Sequence, residues 1–478
     1  MKKLILLFLA LLPLALPAAE RKPNFLFVYT DDQRWDAMGV VQREQGERAR
    51  FPWFTTPHMD RLAAEGVRFR NAFVTLSLCA PSRAAFLTGR YNHLNGIVNN
   101  HTPFPTNSVT HASLMGAAGY ATAYIGKWHM DGQRGQRPGF GYSASFVGQG
   151  KYWDCPIEVN GEVIPSKGWV DDVTTDYAIQ FIQEHQKQPF SIVLGYKACH
   201  GPCSPPERAK DRFPNATARS VPNLGIPAIY RATEKINTNE ARLFEPQTSP
   251  DYFRCISAAD DNLGRLLQTL DDLKLAEDTV VVFASDNGYY KGEHRLGDKR
   301  SAYEESLRIP LLVRYPRTFP KGKVFDEMVL NVDLAPTFLD LAGLPVPAQM
   351  QGRSWRPLLT GKSPAWRQAF LAEYFLENTF PGTPTLVAVR TVDAKLVKYP
   401  GHEEWTELFD LAQDPYETKN LVNDPTRKDL LARMRSEFDQ QAKATGFVIP
   451  DYADKPGAVD PAARKKGKKK KSQDGSKG

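Results

Sequence analysis

Residues 24–32 read Asn-Phe-Leu-Phe-Val-Tyr-Thr-Asp-Asp. An unbroken apolar run of β-forming side chains, cut off by two carboxylates, predicts a strand buried on both faces. The same form returns at 121–126 (Ala-Thr-Ala-Tyr-Ile-Gly), 190–196 (Phe-Ser-Ile-Val-Leu-Gly-Tyr) and 279–285 (Thr-Val-Val-Val-Phe-Ala-Ser). Helical patterns lie between them, as at 174–186 and 252–273. The alternation predicts an α/β fold with a largely parallel central sheet flanked by helices. Each run ends at a polar cluster: Asp31-Asp32, Lys127-Trp128-His129, Lys197 to His200, and Asp286-Asn287. Ligands of open α/β sheets bind beyond the carboxyl ends of the strands. Four distant segments are thus aimed at one edge of the sheet.

Past residue 365 the texture changes. Strand-like runs at 368–375, 385–399 and 405–411 precede a helix near 426–443, which predicts a smaller C-terminal α+β subdomain with an antiparallel sheet. The expected organisation is a signal peptide over 1–19, a main α/β unit over 22–364, the subdomain over 365–451 and a disordered basic tail over 452–478. Lys2 and Lys3 before an apolar run, with Ala18 and Ala19 after it, carry the signal-peptide reading. It implies export to the periplasm or beyond. No other segment approaches the roughly 20 apolar residues of a transmembrane anchor.

The formal charge of +7 comes from the tail, because residues 461–478 hold eight Lys/Arg and one Asp. The body is near neutral, which argues against nucleic-acid binding by the folded part. That tail is expected to be a mobile, solvated segment, or a tether to a polyanion. The five cysteines are 79, 155, 199, 203 and 255. Setting Cys79 aside, four remain, open to two disulfides in three connectivities or to free thiols.

Asp31, Asp32 and Asp286 with the Asn287 amide form an oxygen-rich donor set, suited to Ca²⁺ or Mg²⁺ rather than Zn²⁺. The most specific stretch is residues 79–90, Cys-Ala-Pro-Ser-Arg-Ala-Ala-Phe-Leu-Thr-Gly-Arg. Its Cys79-x-Pro81-x-Arg83 core and Thr88-Gly89-Arg90 close resemble the signature of the type I sulfatases, in which the cysteine is oxidised to Cα-formylglycine. The resemblance extends over residues 22–425. Thr30-Asp31-Asp32-Gln33 and Ser285-Asp286-Asn287-Gly288 look like the two metal motifs, and Gly126-Lys127-Trp128-His129 like the G-K-W-H segment. Gly297-Asp298-Lys299 with Tyr303-Glu304 and Arg308-Ile309-Pro310 looks like the leaving-group lysine segment. Leu408-Phe409-Asp410-Leu411 with Asp414-Pro415 and Glu417 looks like the C-terminal signature.

The resemblance implies an alkaline-phosphatase-like fold and a sulfuric ester hydrolase. It implies that Asp31, Asp32, Asp286, Asn287 and residue 79 hold one divalent cation, Ca²⁺ first. An aldehyde hydrate at residue 79 has two hydroxyls, one to attack sulfur and one to expel sulfate by re-forming the aldehyde. Arg83 would orient that hydrate; its spacing of four residues turns it back toward Cys79 on a helix. Lys127 and Lys299 would add positive charge, Lys299 with His200 would neutralise the leaving alkoxide, and His129 would take the second hydroxyl's proton.

His200 departs from the family pattern, because Cys199 stands where a proline is common. Residues 90–101 resemble sulfatases acting on 6-sulfated glucosamine units. Residues 146–172, with Gly148-Gln149-Gly150-Lys151-Tyr152, fit the same group loosely. Tyr152, Trp153 and Trp169 are candidates for sugar stacking or for core packing. The implied partners are a sulfated carbohydrate and a formylglycine-generating maturation enzyme. The competing readings are a phosphoester or phosphonate hydrolase of the same superfamily, and a non-catalytic glycan-binding protein if Cys79 is never oxidised.

Overall fold

A computed structural model describes residues 22–232, 250–362 and 365–449. The signal-peptide segment 1–19 and the tail 452–478 lie outside these residues. The strands are β1 (Asn24–Thr30), β2 (Val67–Phe69), β3 (Ala72–Phe73), β4 (Ala121–Lys127), β5 (Tyr142–Phe146), β6 (Ile157–Val159), β7 (Glu162–Ile164) and β8 (Phe190–Gly195). Next come β9 (Thr279–Ser285), β10 (Leu311–Arg314), β11 (Lys323–Phe325) and β12 (Val329–Leu330). The last are β13 (Ala369–Tyr374), β14 (Leu386–Thr391), β15 (Ala394–Lys398) and β16 (Glu407–Asp410).

Ten strands form one sheet in the order β11-β2-β10-β9-β1-β8-β4-β5-β6-β7. The central five, β9-β1-β8-β4-β5, are parallel, and antiparallel pairs occur toward both edges. The continuous apolar runs have the expected cause. Phe25, Phe27 and Tyr29 of β1 enter one core, and Leu26 and Val28 enter another on the opposite face. Helices Cys79–Thr88 and Leu334–Leu341 supply residues to the first core. Helices Pro57–Glu65, Val170–His185 and Pro250–Asp272 supply residues to the second. Each fully buried Leu, Val or Phe contributes about 1.5–3 kcal/mol relative to exposure.

Register brings the strand ends together. Thr30 pairs with Ser285 across β1 and β9, Tyr29 with Gly195 across β1 and β8, and Gly126 with Gly195 across β4 and β8. Gly126 has φ +87°, and a Cβ there would stand 2.1 Å from the Gly195 carbonyl oxygen. Only glycine lets β4 turn out at this level and deliver Lys127.

β13-β14-β15-β16 form a separate antiparallel sheet. Val389, Leu396 and Leu408 pack with Met434 of helix Lys428–Thr445, while Phe370, Ala372, Ala388 and Val397 join the first main core. The 385–399 run is two strands, not one. Its apolar continuity hid a turn, because Val392 is exposed while Thr391 Oγ1 accepts from Ala394 N at 3.0 Å. All five cysteines are free thiols. Among the described residues no helix is long and apolar enough to cross a membrane.

One ion pair ties this smaller sheet to the segment after helix Cys79–Thr88. His93 Nδ1 meets Glu373 Oε2 at 2.6 Å, and Glu373 Oε1 accepts from the Asn92 and His93 amides. Burial works against charge on His93, but Glu373 raises its pKa above the ordinary 6.5. A raised histidine pKa stabilises the fold below about pH 6.5, and that contribution is lost as pH rises through the folded value. His93→Gln should therefore lower Tm by more at pH 6 than at pH 9; equal losses at both would show the pair to be uncharged.

Candidate active site

The site lies at the carboxyl edge of β1, β4, β8 and β9. Asp286 N donates to the Thr30 carbonyl at 3.0 Å, Asp31 N to the Ala198 carbonyl at 2.7 Å, and Asp32 N to Asp286 Oδ1 at 3.1 Å. Asp32 turns the chain with φ 65°, a backbone conformation that Asp tolerates better than most residues. Gly288 then follows Asn287 closely past the 304–307 turn, where a Cβ would lie 2.1 Å from the Glu305 carbonyl oxygen. Asp31, Asp32, Asp286 and Asn287 are all buried.

Cys79 is the first residue of helix Cys79–Thr88, every residue of which is buried. Its Sγ lies 3.4 Å from Asp31 Oδ1, and burial, reinforced by Asp31, pushes the thiol pKa far up. One helical turn on, Arg83 reaches the same carboxylates: Nε and Nη2 donate to Asp286 Oδ2 at 2.9 and 2.7 Å, and Nη2 to Asp31 Oδ2 at 3.1 Å. The Arg83 guanidinium also donates to the Lys127 carbonyl and lies over the Tyr29 ring, 5.0 Å from its centroid. The predicted i, i+4 relation thus holds in space.

Lys127 and Lys299 are buried cations, not solvated surface lysines. Lys127 Nζ pairs with Asp31 Oδ2, and Lys299 Nζ with both Asp32 oxygens at 2.8 and 2.9 Å. His200 Nε2 stands 4.0 Å from Asp32 Oδ2, and its Nδ1 is 2.6 Å from the Gly201 carbonyl oxygen. Burial, with Lys127 and Lys299 nearby, lowers the His200 pKa. Burial and the same kind of cationic field, from Lys127 and Arg83, hold His129 neutral.

Three carboxylates face three cations here. Burial alone would raise the Asp31 pKa, but Lys127 and Arg83 hold it well below the usual range. Burial pushes Asp32 up to about 6, against the pull of Lys299. Oxygens of Asp31, Asp32 and Asp286 lie within 4.8 Å of one another. Asn287 Oδ1 is buried without a hydrogen-bond partner among the described residues. Three convergent carboxylates and an orphaned amide oxygen fit a hard divalent cation.

The structure brings all ten candidate residues to this edge. Asp31, Cys79 and His200 also group within 4.8 Å, whereas no Cys199–His200–Cys203 cluster occurs among the described residues. Tyr152 and Trp169 are buried, with ring centroids 6.0 Å apart, and Tyr152 Oη donates to the His200 carbonyl at 2.9 Å. They support the site from behind, and only Trp153 is exposed. Two participants were named from sequence only as parts of longer stretches, with no role given: Gln149, which touches Lys127 and His129, and Asn100, whose Oδ1 accepts from Ala80 N at 3.0 Å. For Gln149 the available signals were its place in that loose resemblance and its position as a lone polar residue between two glycines.

This arrangement, buried cations around a carboxylate cluster beside one cysteine, suits an anionic ester. A family model described as Sulfatase matches residues 23–344, and one described as N-sulphoglucosamine sulphohydrolase, C-terminal, matches residues 292–444. The chain belongs to the sulfatase family and is a sulfuric ester hydrolase of the alkaline-phosphatase-like fold.

Among its relatives is an N-acetylglucosamine-6-O-sulfatase of Bacteroides thetaiotaomicron, 32% identical, with 84% of this chain and 83% of the relative covered. The human N-acetylglucosamine-6-sulfatase is 26% identical, with 94% and 88% covered. A solved complex with its substrate, D-glucosamine-2-N,6-O-disulfate, superposes with a TM-score of 0.79 at 29% identity, covering 89% of this chain and 98% of that one. A phosphonate monoester hydrolase from Silicibacter pomeroyi, 22% identical with a TM-score of 0.70 and 88% and 96% covered, shares the fold alone.

Proposed function

We propose that this chain removes sulfate from a 6-O-sulfated glucosamine-type unit of a sulfated carbohydrate. The observation that carries the chemistry is the convergence of Arg83, Lys127, Lys299 and the Asp31–Asp32–Asp286 cluster on residue 79. The substrate class is supported by the names of the relatives above.

Asp31, Asp32, Asp286 and Asn287, with residue 79, would hold one divalent cation, Ca²⁺ by its all-oxygen donors, which supplies Lewis-acid polarisation of an ester oxygen. Matured to formylglycine by a partner enzyme, residue 79 supplies a hydrate with two hydroxyls on one carbon. The remaining work falls to the chain's own groups. Arg83 binds Asp31 and Asp286 at once and so fixes residue 79 against the carboxylates. Lys127 and Lys299 hold fixed positive charge where the sulfate oxygens must sit, and this costs no reorganisation during reaction. Lys299, with His200 beside it, is placed to neutralise the leaving alkoxide. The N-terminal apolar run, read as an export signal, supports a periplasmic or extracellular enzyme.

The test is a panel of amino-sugar 6-O-sulfates, other sulfated sugars and phosphate or phosphonate monoesters, run with the enzyme purified after maturation. Turnover of the 6-O-sulfated glucosamine unit should exceed that of the phosphorus esters by at least about 100-fold in kcat/KM. Preference for a phosphorus ester would overturn the substrate class. Mass spectrometry of the peptide bearing residues 79–83 reads maturation separately, since formylglycine is lighter than cysteine.

A further inference from the structure

Three thiols lie together behind the His200 loop, and the sulfatase chemistry uses none of them. Cys199 and Cys203 flank His200 on the segment after β8, and Cys255 sits on helix Pro250–Asp272. That segment runs along the helix and is tied to it. Arg212 Nη2 donates to Asp261 Oδ2 at 2.9 Å, and Arg254 Nε donates to the Arg212 carbonyl at 2.9 Å. Cys203 packs against the core that holds Cys255, and the two thiols hydrogen-bond to each other.

The hydrogen bonds sort the thiols. Cys199 Sγ is turned the other way and donates to the Asp31 carbonyl at 3.4 Å. Cys155 Sγ accepts from Lys151 N at 3.3 Å, on a different segment. Cys203 Sγ donates to the Cys199 carbonyl at 3.2 Å, so within the pair Cys255 gives its S–H to the Cys203 sulfur. Cys203 is half-buried and Cys255 is buried. A cavity of about 290 Å³, lined by Cys199, Cys203, Asp251, Tyr252, Tyr289 and Lys291, gives access to Cys203. Lys291 Nζ is held there, 3.9 Å from the centroid of the Tyr252 ring. The Cys255 thiol, and then Lys291, lower the Cys203 pKa, whereas burial raises that of Cys255. The thiolate thus forms at the accessible sulfur, which is the one that must react first.

We propose that Cys203 and Cys255 are a disulfide-forming pair, and that their bond staples the loop carrying His200 to helix Pro250–Asp272. The oxidant is a small-molecule disulfide. The Cys203 thiolate attacks one of its sulfurs, forming a mixed disulfide, and the other sulfur leaves as a thiol. Cys255 then gives up its proton, attacks the Cys203 sulfur and releases the second thiol. Two protein thiols lose two electrons and two protons, and one external disulfide becomes two thiols. The thiols already meet with His200 in place, so the bond forms without moving that histidine. Export, as read from residues 1–19, would bring the pair into an oxidising compartment. The proposal depends neither on the sugar nor on the chemistry at residue 79.

The test uses the purified, matured enzyme, fully reduced with a dithiol and then divided. One portion is equilibrated with excess oxidised glutathione, and both are quenched with acid, alkylated and mapped as non-reduced peptides. Oxidation should remove two thiols per chain and link the Cys203 and Cys255 peptides, leaving Cys155 and Cys199 alkylated. The bond closes a loop of about 50 residues, so Tm should rise by about 3–5 °C. On any sulfate ester that the reduced enzyme turns over, kcat should stay within about twofold.

Two variants read the order of attack. Cys255→Ala should stop with glutathione on Cys203, and Cys203→Ser should leave Cys255 a thiol; neither should gain Tm on oxidation. Absence of the Cys203–Cys255 link at excess oxidant overturns the proposal, as does a link through Cys155 or Cys199. A link that leaves Tm unchanged, or that abolishes kcat, overturns the staple. An error about the sugar would fail the ester panel and leave the thiol map and the Tm shift as expected.

Discussion

Cys79→Ala is expected to lower turnover of a sulfate ester by about 10⁴-fold or more while leaving the fold intact. The stability side follows from the surroundings. Cys79 is buried, and among the described residues its side chain makes one polar contact, the thiol to Asp31 Oδ1 at 3.4 Å, so alanine removes little more than one sulfur. That change should cost about 1 kcal/mol, comparable to an ordinary substitution. The chemical side follows from the number of hydroxyls. Alanine has none. Cys79→Ser has one, so, produced where the maturation system does not convert serine, it should accept a single sulfuryl group and stall, giving at most one equivalent of product per site. Multiple turnover by Cys79→Ala at the wild-type rate, after mass spectrometry has verified the substitution, would remove residue 79 from the chemistry.

The site was legible in sequence because its residues sit at the ends of strands that announce themselves. β1, β4, β8 and β9 are buried on both faces, so their apolar runs are continuous and their ends are marked by the first charged residue. Parallel register then aligns those ends, and Asp31 meets Asp286 although 255 positions separate them in the chain. The motif helix was legible for a different reason, since Arg83 must lie one turn from Cys79 whatever surrounds it.

Other features were hidden by the same physics. The β14–β15 turn carries Val392, an apolar residue that happens to face solvent, so hydropathy ran the two strands together. The antiparallel edges of the main sheet are built from strands of three to five residues, too short for a period to show. Gln149 lies in a loop whose course depends on glycine torsions, and no residue pattern tells where such a loop points. The aromatic residues Tyr152 and Trp169 carry the same side chains whether they stack on a sugar or on each other, and only burial separates the two cases.

The second large effect concerns the cation site, and there the choice of variant matters. Asp31 and Asp286 each hold Arg83, Asp31 also pairs with Lys127, and Asp32 pairs with Lys299. Alanine at any of these strands a buried cation, at a cost of about 3–5 kcal/mol, so lost activity could reflect lost folding. Asn287 is neutral, and its Oδ1 has no partner to lose among the described residues. Asn287→Ala gives up two hydrogen bonds from Nδ2, to Asp32 Oδ1 at 2.6 Å and to the Gly288 carbonyl at 2.8 Å. It should remain folded, yet bind the divalent cation about 10–100-fold more weakly and lose activity accordingly.

Wild type should carry one divalent cation per chain by elemental analysis. It should lose about 2.7 kcal/mol on chelation if the free ion stood at about 100 times its Kd, and Ca²⁺ should restore both stability and rate. The melting temperature of Asn287→Ala should respond far less to the chelator. If exhaustively chelated wild type keeps its rate with no divalent ion detectable, then Lys127, Lys299 and Arg83 alone provide the positive charge. The three carboxylates would then serve only to hold those cations in place.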